Sequence, residues 1–456
     1  MITRRGGHRE GVGARGPAAS APAASWLPAG VCQPGPVGST ASAGPSALRY
    51  GRYRVGVVMG AWQAWPDRER RTAVPLTPEE LALPFVPDSR TPRRLHLGGR
   101  PLAVVGRARI YVCGVTPYDV THLGHAATFV WVDAADRVLR RLGVAVEVCR
   151  NVTDVDDVLF EAATRAGAHY ERFAAVQQFH FERDMAALDV RRPTHEPRAH
   201  TYIPQVVELA SALLEAGVAY VARGSVYLCG EPVASRAGLT RDAALALLAD
   251  NGGRTDDPNK RDPLDQAVWQ ASEPHEPAWP SPWGPGRPGW HAECTAMALS
   301  TYGSAVDLHA GGADLRFPHH AYESAQAEAA TGVAPFARSW MHVGTVRLEG
   351  QKMAKSIGNL VFVADLVRQT SGSVVRTMLL DRRWEQPWDY TPAELDRAGE
   401  RLDALYAAGG RPHRSEIATG AVLDALVDDL DIARALDIAI AEGGQAARDL
   451  AAVLAL

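Results

Sequence analysis

The chain has 456 residues, 46% hydrophobic and 22% charged, with a formal net charge of −4. That length accommodates two or three domains and a large core, and the charge gives no global pull toward nucleic acid. No apolar run approaches the length of a membrane span, so none is expected. Five scattered cysteines in so long a chain argue against a disulfide framework. They point to a reducing, cytoplasmic setting with thiols free to hold metal.

Residues 1–58 are rich in Ala, Gly, Pro and Ser, with seven Arg and a single acid, Glu10. Without apolar periodicity they read as a disordered extension, or as the product of a misassigned start with Met59 nearer the true one. Residues 59–105 are Pro-interrupted and read as an irregular lead-in. Organisation begins with "RIYVCG" at Arg109, a buried strand, followed by a helix over His122–Leu142 with Leu123, Ala126, Ala127, Val130 and Ala134 on one face. "VAVEVC" is the next strand. This β–α–β unit opens a parallel sheet whose chemistry belongs at the strands' carboxyl ends. It lacks G-x-G-x-x-G, so a dinucleotide site is not supported.

Helical patterns run on through Ala219, and "GSVYL" reads as a strand inside an insertion spanning about 190–285. "AVDLHAGGADLRFPHH" reads as a strand, a Gly-rich turn and a helix start, and "VRLEGQKMAKSIGN" as a loop. The catalytic domain is therefore expected over 106–390. From Thr391 to Leu456 the pattern is helical, with twelve Asp/Glu against six Arg.

His122 and His125 stand three apart on the first helical turn, facing one side. The helix N-terminus offers free N–H groups and a positive dipole end to phosphate. Gly124 between them lets a flat group such as adenine approach the backbone. Two capping or core histidines are the alternative. Only three of the 48 basic residues are Lys: Lys260, Lys352 and Lys355. A Lys pair four apart in an Arg-dominated chain suits a moving polyphosphate, since Lys is a compact charge on a flexible stem; two surface lysines are the plainer reading. Cys113, Cys294, His319 and Glu323 form a donor set soft enough for zinc, His319 and Glu323 sharing a helix face. Two structural cysteines and an unrelated helix pair remain the alternative.

Taken together, "YVCGVTPYDVTHLGHA", "NVTDVDD", "GRPGWHAEC", "DLHAGGADLRFPHH" and "KMAKSIGN" resemble the cysteinyl-tRNA synthetase family of class I synthetases. They are equally close to its branch that ligates cysteine to glucosaminyl-inositol in mycothiol synthesis. The resemblance runs in family order from Arg109 to the C-terminus. It implies an α/β, Rossmann-like parallel-sheet catalytic domain with an inserted connective region and a C-terminal helical bundle. It also implies one zinc per chain on Cys113, Cys294 and His319, with Glu323 as fourth ligand, gripping the thiolate of L-cysteine. ATP with Mg2+ is the implied co-substrate and cysteinyl-AMP the intermediate.

By the same resemblance His122, His125, Lys352 and Lys355 are catalytic. Gly114, Thr116, Gly124, Thr128, Asn151 and Thr153 match adenylate contacts, as do Gly311, Gly312, Asp314 and Ser356. Trp290 joins Cys113 in lining the cysteine pocket. Asp156 and Asp157 carry no assigned chemistry beyond a possible helix cap. "KMAKS" has Ala354 where Ser is commoner, which removes a hydroxyl and keeps both charges. The acidic tail and the early stop favour a small amine acceptor. Glu323 and "EPRAHTYIPQVVEL" favour tRNA. A catalytically silent paralogue and a non-synthetase nucleotidylyltransferase stand as alternatives, and nothing in the sequence indicates the oligomeric state.

Overall fold

The computed structural model describes residues 93–118, 121–274, 276–353 and 357–456. The expected 1–58 extension, most of the lead-in, Lys355 and Ser356 lie outside the described residues.

Four parallel strands form the central sheet, in the order Ala337–Val343, Val306–Gly312, Arg107–Val115, Ala145–Val152. Arg107–Val115 lies inside the sheet, and Ile110, Tyr111 and Val112 are almost wholly buried. A strand covered on both faces reads as a continuous apolar run, which is how "IYVC" reads. The expected helix follows as Leu123–Arg141 and packs Leu123, Ala126, Val130 and Ala134 into the core. The chain leaves Arg107–Val115 toward one edge of the sheet, then returns to its other side as Val306–Gly312. The strand order thus reverses between these two, and ligands bind at the carboxyl ends flanking such a reversal.

Between them lies the insertion. Its helix, expected through Ala219, stops at Glu215, because Gly217 takes φ 71° and turns the chain. Ala219–Ala222 is instead the first strand of an antiparallel sheet continued by Ser225–Leu228, Gln266–Ala271 and Gly286–Pro288. Val206, Leu213, Val226, Val268 and Trp269 give this region an apolar cluster of its own.

Three further expectations change. The end of the lead-in is packed: His96–Leu97 and Arg100–Pro101 pair around Gly98 and Gly99, both at positive φ. Leu95, Leu97 and Leu102 join the main core there. The "VRLEGQKMAKSIGN" loop contains a hairpin, Val346–Leu348 against Gln351–Lys352, turned at Glu349 and Gly350 with φ 53° and 76°. Helices begin before Thr391, at Val363–Gln369 and Gly372–Leu380. They lead into Pro392–Gly409, Glu416–Val427, Ile432–Glu442 and Gly444–Leu454. Among the described residues no helix is long and apolar enough to cross a membrane.

Candidate active site

The strand reversal gathers residues spread over two hundred positions. Cys113 lies near the carboxyl end of one central strand, Cys294 sits within helix Trp290–Tyr302, and His319 opens helix His319–Thr331, which also carries Glu323. All four are buried, and their donor atoms lie within 4.8 Å of one another. Glu323 Oε1 is 3.2 Å from Cys113 Sγ and 2.6 Å from His319 Nε2. Contact with Cys113 is the main cause that brings the Cys294 thiol down to about 6, while burial pushes Cys113 well up. Burial works against charge on both His319 and Glu323, yet their mutual attraction prevails: the imidazole rises to about 10 and the carboxyl stays well below its usual range. A thiolate, a thiol, an imidazole and a carboxylate at this spacing fit a soft divalent metal, so the donor chemistry matches zinc.

The surroundings hold these donors in place. His291 Nδ1 lies 2.8 Å from His319 Nδ1, which leaves the Nε2 side toward Glu323. His309 Nε2 is 2.7 Å from Glu323 Oε2. Asn151 donates to Cys294 Sγ at 3.3 Å. Such outer contacts orient ligands and set their tautomers. Trp290 stacks on His319 with ring centroids 4.2 Å apart, so its indole does stand beside the cluster.

A second group lies along the N-terminus of Leu123–Arg141. His122 caps this helix, its Nδ1 accepting from Gly124 N at 3.1 Å, and its ring lies 3.8 Å from that of His125. A Cβ on Gly124 would come within 2.9 Å of the His122 ring, so a side chain there would push against the capping imidazole. Burial, then His125 and Lys352, push His122 down to about 3, so it is a neutral hydrogen-bonding group at neutral pH. Lys352 is half-exposed and donates to Asp314 Oδ2 at 2.6 Å. A Cβ on Gly312 would meet Asp314 at 2.4 Å and Thr128 Oγ1 at 3.9 Å, which puts these three residues side by side. The segment after the lysine loop is tied back to the histidines: Leu123 N donates to Val361 O at 2.8 Å, and Val363 N to Thr121 O at 3.1 Å.

One side chain ties the buried donor set to the end of the Arg107–Val115 strand. Asn151 Oδ1 accepts from Gly114 N at 2.8 Å, while its Nδ2 donates to Thr153 Oγ1 at 3.0 Å and to Cys294. Its amide is therefore engaged by the scaffold. Thr116 is half-buried in the turn after the strand, its carbonyl accepting from Tyr118 N. A Cβ on Gly311 would lie 2.7 Å from the His320 ring. Asp156 caps helix Asp157–Arg165, and Asp157 pairs with Arg287.

Sequence reasoning missed His291, His309, His320 and His342. The last two are buried and 2.8 Å apart, with Trp340 stacked on His342. "GWHAEC", "DLHAGG" and "FPHH" held the first three in plain view, but isolated histidines carry no spacing signal until strand order brings them together.

A family model described as the class I (C) tRNA synthetase catalytic domain matches residues 102–400. The chain is 42% identical over 374 residues to the L-cysteine:1D-myo-inositol 2-amino-2-deoxy-alpha-D-glucopyranoside ligase of Acidothermus cellulolyticus, covering 81% of this chain and 90% of that one. It is 41% identical over 387 residues to the ligase of the same name from Corynebacterium aurimucosum, covering 82% and 92%. Among solved structures, Mycobacterium tuberculosis methionyl-tRNA synthetase in complex with methionyl-adenylate aligns with a TM-score of 0.55 at 16% identity, covering 74% of this chain and 82% of that one, a likeness of fold.

Proposed function

The chain belongs to the class I (C) tRNA synthetase catalytic-domain family, and from that premise we propose that it activates L-cysteine with ATP and passes the cysteinyl group to the amine of glucosaminyl-inositol, in mycothiol biosynthesis. It is a ligase of that family. The observation that carries the reading is the buried Cys113–Cys294–His319–Glu323 set, bridged through Asn151 to the strand end that leads to His122.

Cys113, Cys294, His319 and Glu323 would hold one zinc, which supplies a soft Lewis acid for the thiolate of the substrate. An apolar pocket separates near-isosteres by only ~1–3 kcal/mol, and sulfur-selective binding lifts cysteine above serine beyond that limit. Trp290, stacked on His319, walls the same pocket. The helix N-terminus and the two histidines receive the ATP phosphates by hydrogen bonding. Lys352, held at Asp314 before ATP arrives, exchanges that carboxylate for the β- and γ-phosphates. Lys355 joins it as pyrophosphate departs, and Ser356, Thr128, Gly311, Gly312 and Asp314 shape the nucleoside side, with Mg2+ accompanying the ATP. The cysteine carboxylate attacks the α-phosphorus as the bond to pyrophosphate breaks. The acceptor amine then attacks the adenylate carbonyl from ~3–3.5 Å, gives up one proton to solvent, and AMP leaves with the electrons of the broken acyl carbon–oxygen bond.

The acceptor assignment draws on the relatives' names and on an acidic C-terminal region that suits a phosphate backbone poorly. The test is the product formed from labelled cysteine and ATP, with glucosaminyl-inositol and transcribed cysteine tRNA supplied in parallel. The expected outcome is amide formed on the amino sugar, with cysteine-dependent ATP–pyrophosphate exchange in the absence of either acceptor. Efficient tRNA charging without amide would make the chain a cysteinyl-tRNA synthetase. No exchange at all would make it a silent paralogue.

A further inference from the structure

One lysine has no part in the chemistry above. Lys260 lies in the insertion, and it helps to line a cleft of about 160 Å³. One wall of that cleft is Trp290 and His291, the residues that pack on His319 beside the cysteine pocket. The opposite wall comes from the insertion: Tyr227, Asp257, Lys260 and Gln270. A ligand in the cleft therefore lies against Trp290, whose indole also stacks on the His319 imidazole.

The lining specifies the ligand's chemistry. Tyr227 donates its hydroxyl to Asp257 Oδ2 at 2.8 Å, and Lys260 donates to the carbonyl of Arg254, so these groups are fixed before anything binds. Burial opposes charge on Asp257, but the Asn259 N–H and the Tyr227 hydroxyl hold its carboxyl below the usual range. With Arg254 and Asp157, also in the lining, the cleft carries two cations and two carboxylates. No net positive charge is left over for a phosphate backbone. Donors and acceptors in balance suit a neutral, hydroxyl-rich ring, and the indole offers an apolar face to its C–H side.

Size narrows this further. Pockets for whole drug-sized ligands start at ~300 Å³, so the 160 Å³ of this cleft encloses one ring and leaves a second to extend from it. In a two-ring acceptor the amine-bearing ring must reach the adenylate carbonyl. The ring left for the cleft is the one without the amine.

We propose that the cleft beyond Trp290 is the acceptor subsite, that it takes the amine-free cyclic polyol of a two-ring amino-sugar acceptor, and that Gln270 is a residue determining specificity for that ring. This rests on the reading of the chain as a glucosaminyl-inositol ligase, and it adds where the inositol ring sits.

The experiment compares full-length wild type with Gln270→Ala in two assays. Cysteine-dependent ATP–pyrophosphate exchange needs no acceptor; amide formation does. In Gln270→Ala the exchange rate and the KM for cysteine stay at wild-type values, while the KM for glucosaminyl-inositol rises about tenfold, the effect of one lost polar contact. Free myo-inositol inhibits amide formation competitively in wild type and leaves exchange alone. An unchanged acceptor KM in an exchange-competent Gln270→Ala protein overturns the subsite. If Gln270→Ala loses exchange as well, Tyr227→Phe, which keeps the ring and removes only the hydroxyl, takes its place. A raised acceptor KM with exchange intact in that variant supports the subsite; unchanged acceptor kinetics, or loss of exchange there too, makes the cleft purely structural and overturns it. Wild type that makes no amide from glucosaminyl-inositol removes the functional reading itself, an outcome separate from any of these.

Discussion

Cys294 contacts Asn151 and Cys113. With its thiol brought down to about 6 it is largely thiolate at neutral pH, while Cys113 keeps its proton. One anionic sulfur is thus favoured, and ligation by Cys113 and His319 releases the protons those groups hold. Cys294→Ala removes that anion and leaves Cys113, His319 and Glu323 as an incomplete set. The expected outcome is zinc close to one per chain in wild type by atomic emission and near zero in the variant, with cysteine-dependent exchange lost in step. Retained zinc in Cys294→Ala would remove Cys294 from the ligand set. These four donors were legible in the sequence only through the family resemblance, because their dispersal over the chain leaves no spacing signal. The histidines that orient them were not, since His291 and His309 lie 28 and 14 residues from their partners and no helical or strand period links them.

Strands Arg107–Val115 and Ala145–Val152 approach closely where their register shifts, between Val112 and Val115. Gly114 lies in that interval, and a Cβ there would stand 1.6 Å from the Asn151 carbonyl oxygen. Backbone cannot yield as a flexible side chain does, so the two strands must part. Overpacking of this kind costs about 1–3 kcal/mol or more. Gly114→Ala is therefore expected to lower the urea midpoint by at least that equivalent and to abolish exchange, because the shift displaces Asn151 from Cys294. A variant with wild-type stability would show that the strands separate freely. The same scale explains the expectations that changed. The insertion's strands are only three to six residues long, so "GSVYL" alone had a readable pattern. The lysine loop's hairpin depends on positive φ at Glu349 and Gly350, and only one of these is a glycine.

The C-terminal helices are fastened to the parallel-sheet domain through Arg376. Its side chain is fully buried, and it pairs with Asp133, donates to Leu454 O at 2.6 Å and to Leu188 O at 3.1 Å. Three distant parts of the chain meet on one guanidinium. Removing one partner of a buried pair costs about 3–5 kcal/mol, because the other charge is stranded. Arg376→Met is expected to destabilise the protein in urea unfolding by less than that full amount, because Asp133 keeps its ion pair with Arg137. An unchanged midpoint would show that the joint contributes nothing to stability. No sequence pattern pointed to this residue, since a lone Arg in an Arg-rich chain is unremarkable until its burial is known.

The sequence by itself determined the parallel α/β class and the helix at His122. Both are local, a buried run and a 3.6-residue period, whereas the dispersed donor set and the lysine pair were candidates carried by the family resemblance. Tertiary structure alone decided how they meet. The reversal of strand order between Arg107–Val115 and Val306–Gly312 brings Cys113 to His319 and Glu323. The insertion's sheet sets a neutral cleft against Trp290. Such contacts span up to two hundred residues, and at that separation proximity follows from sheet topology and packing, which no local period encodes.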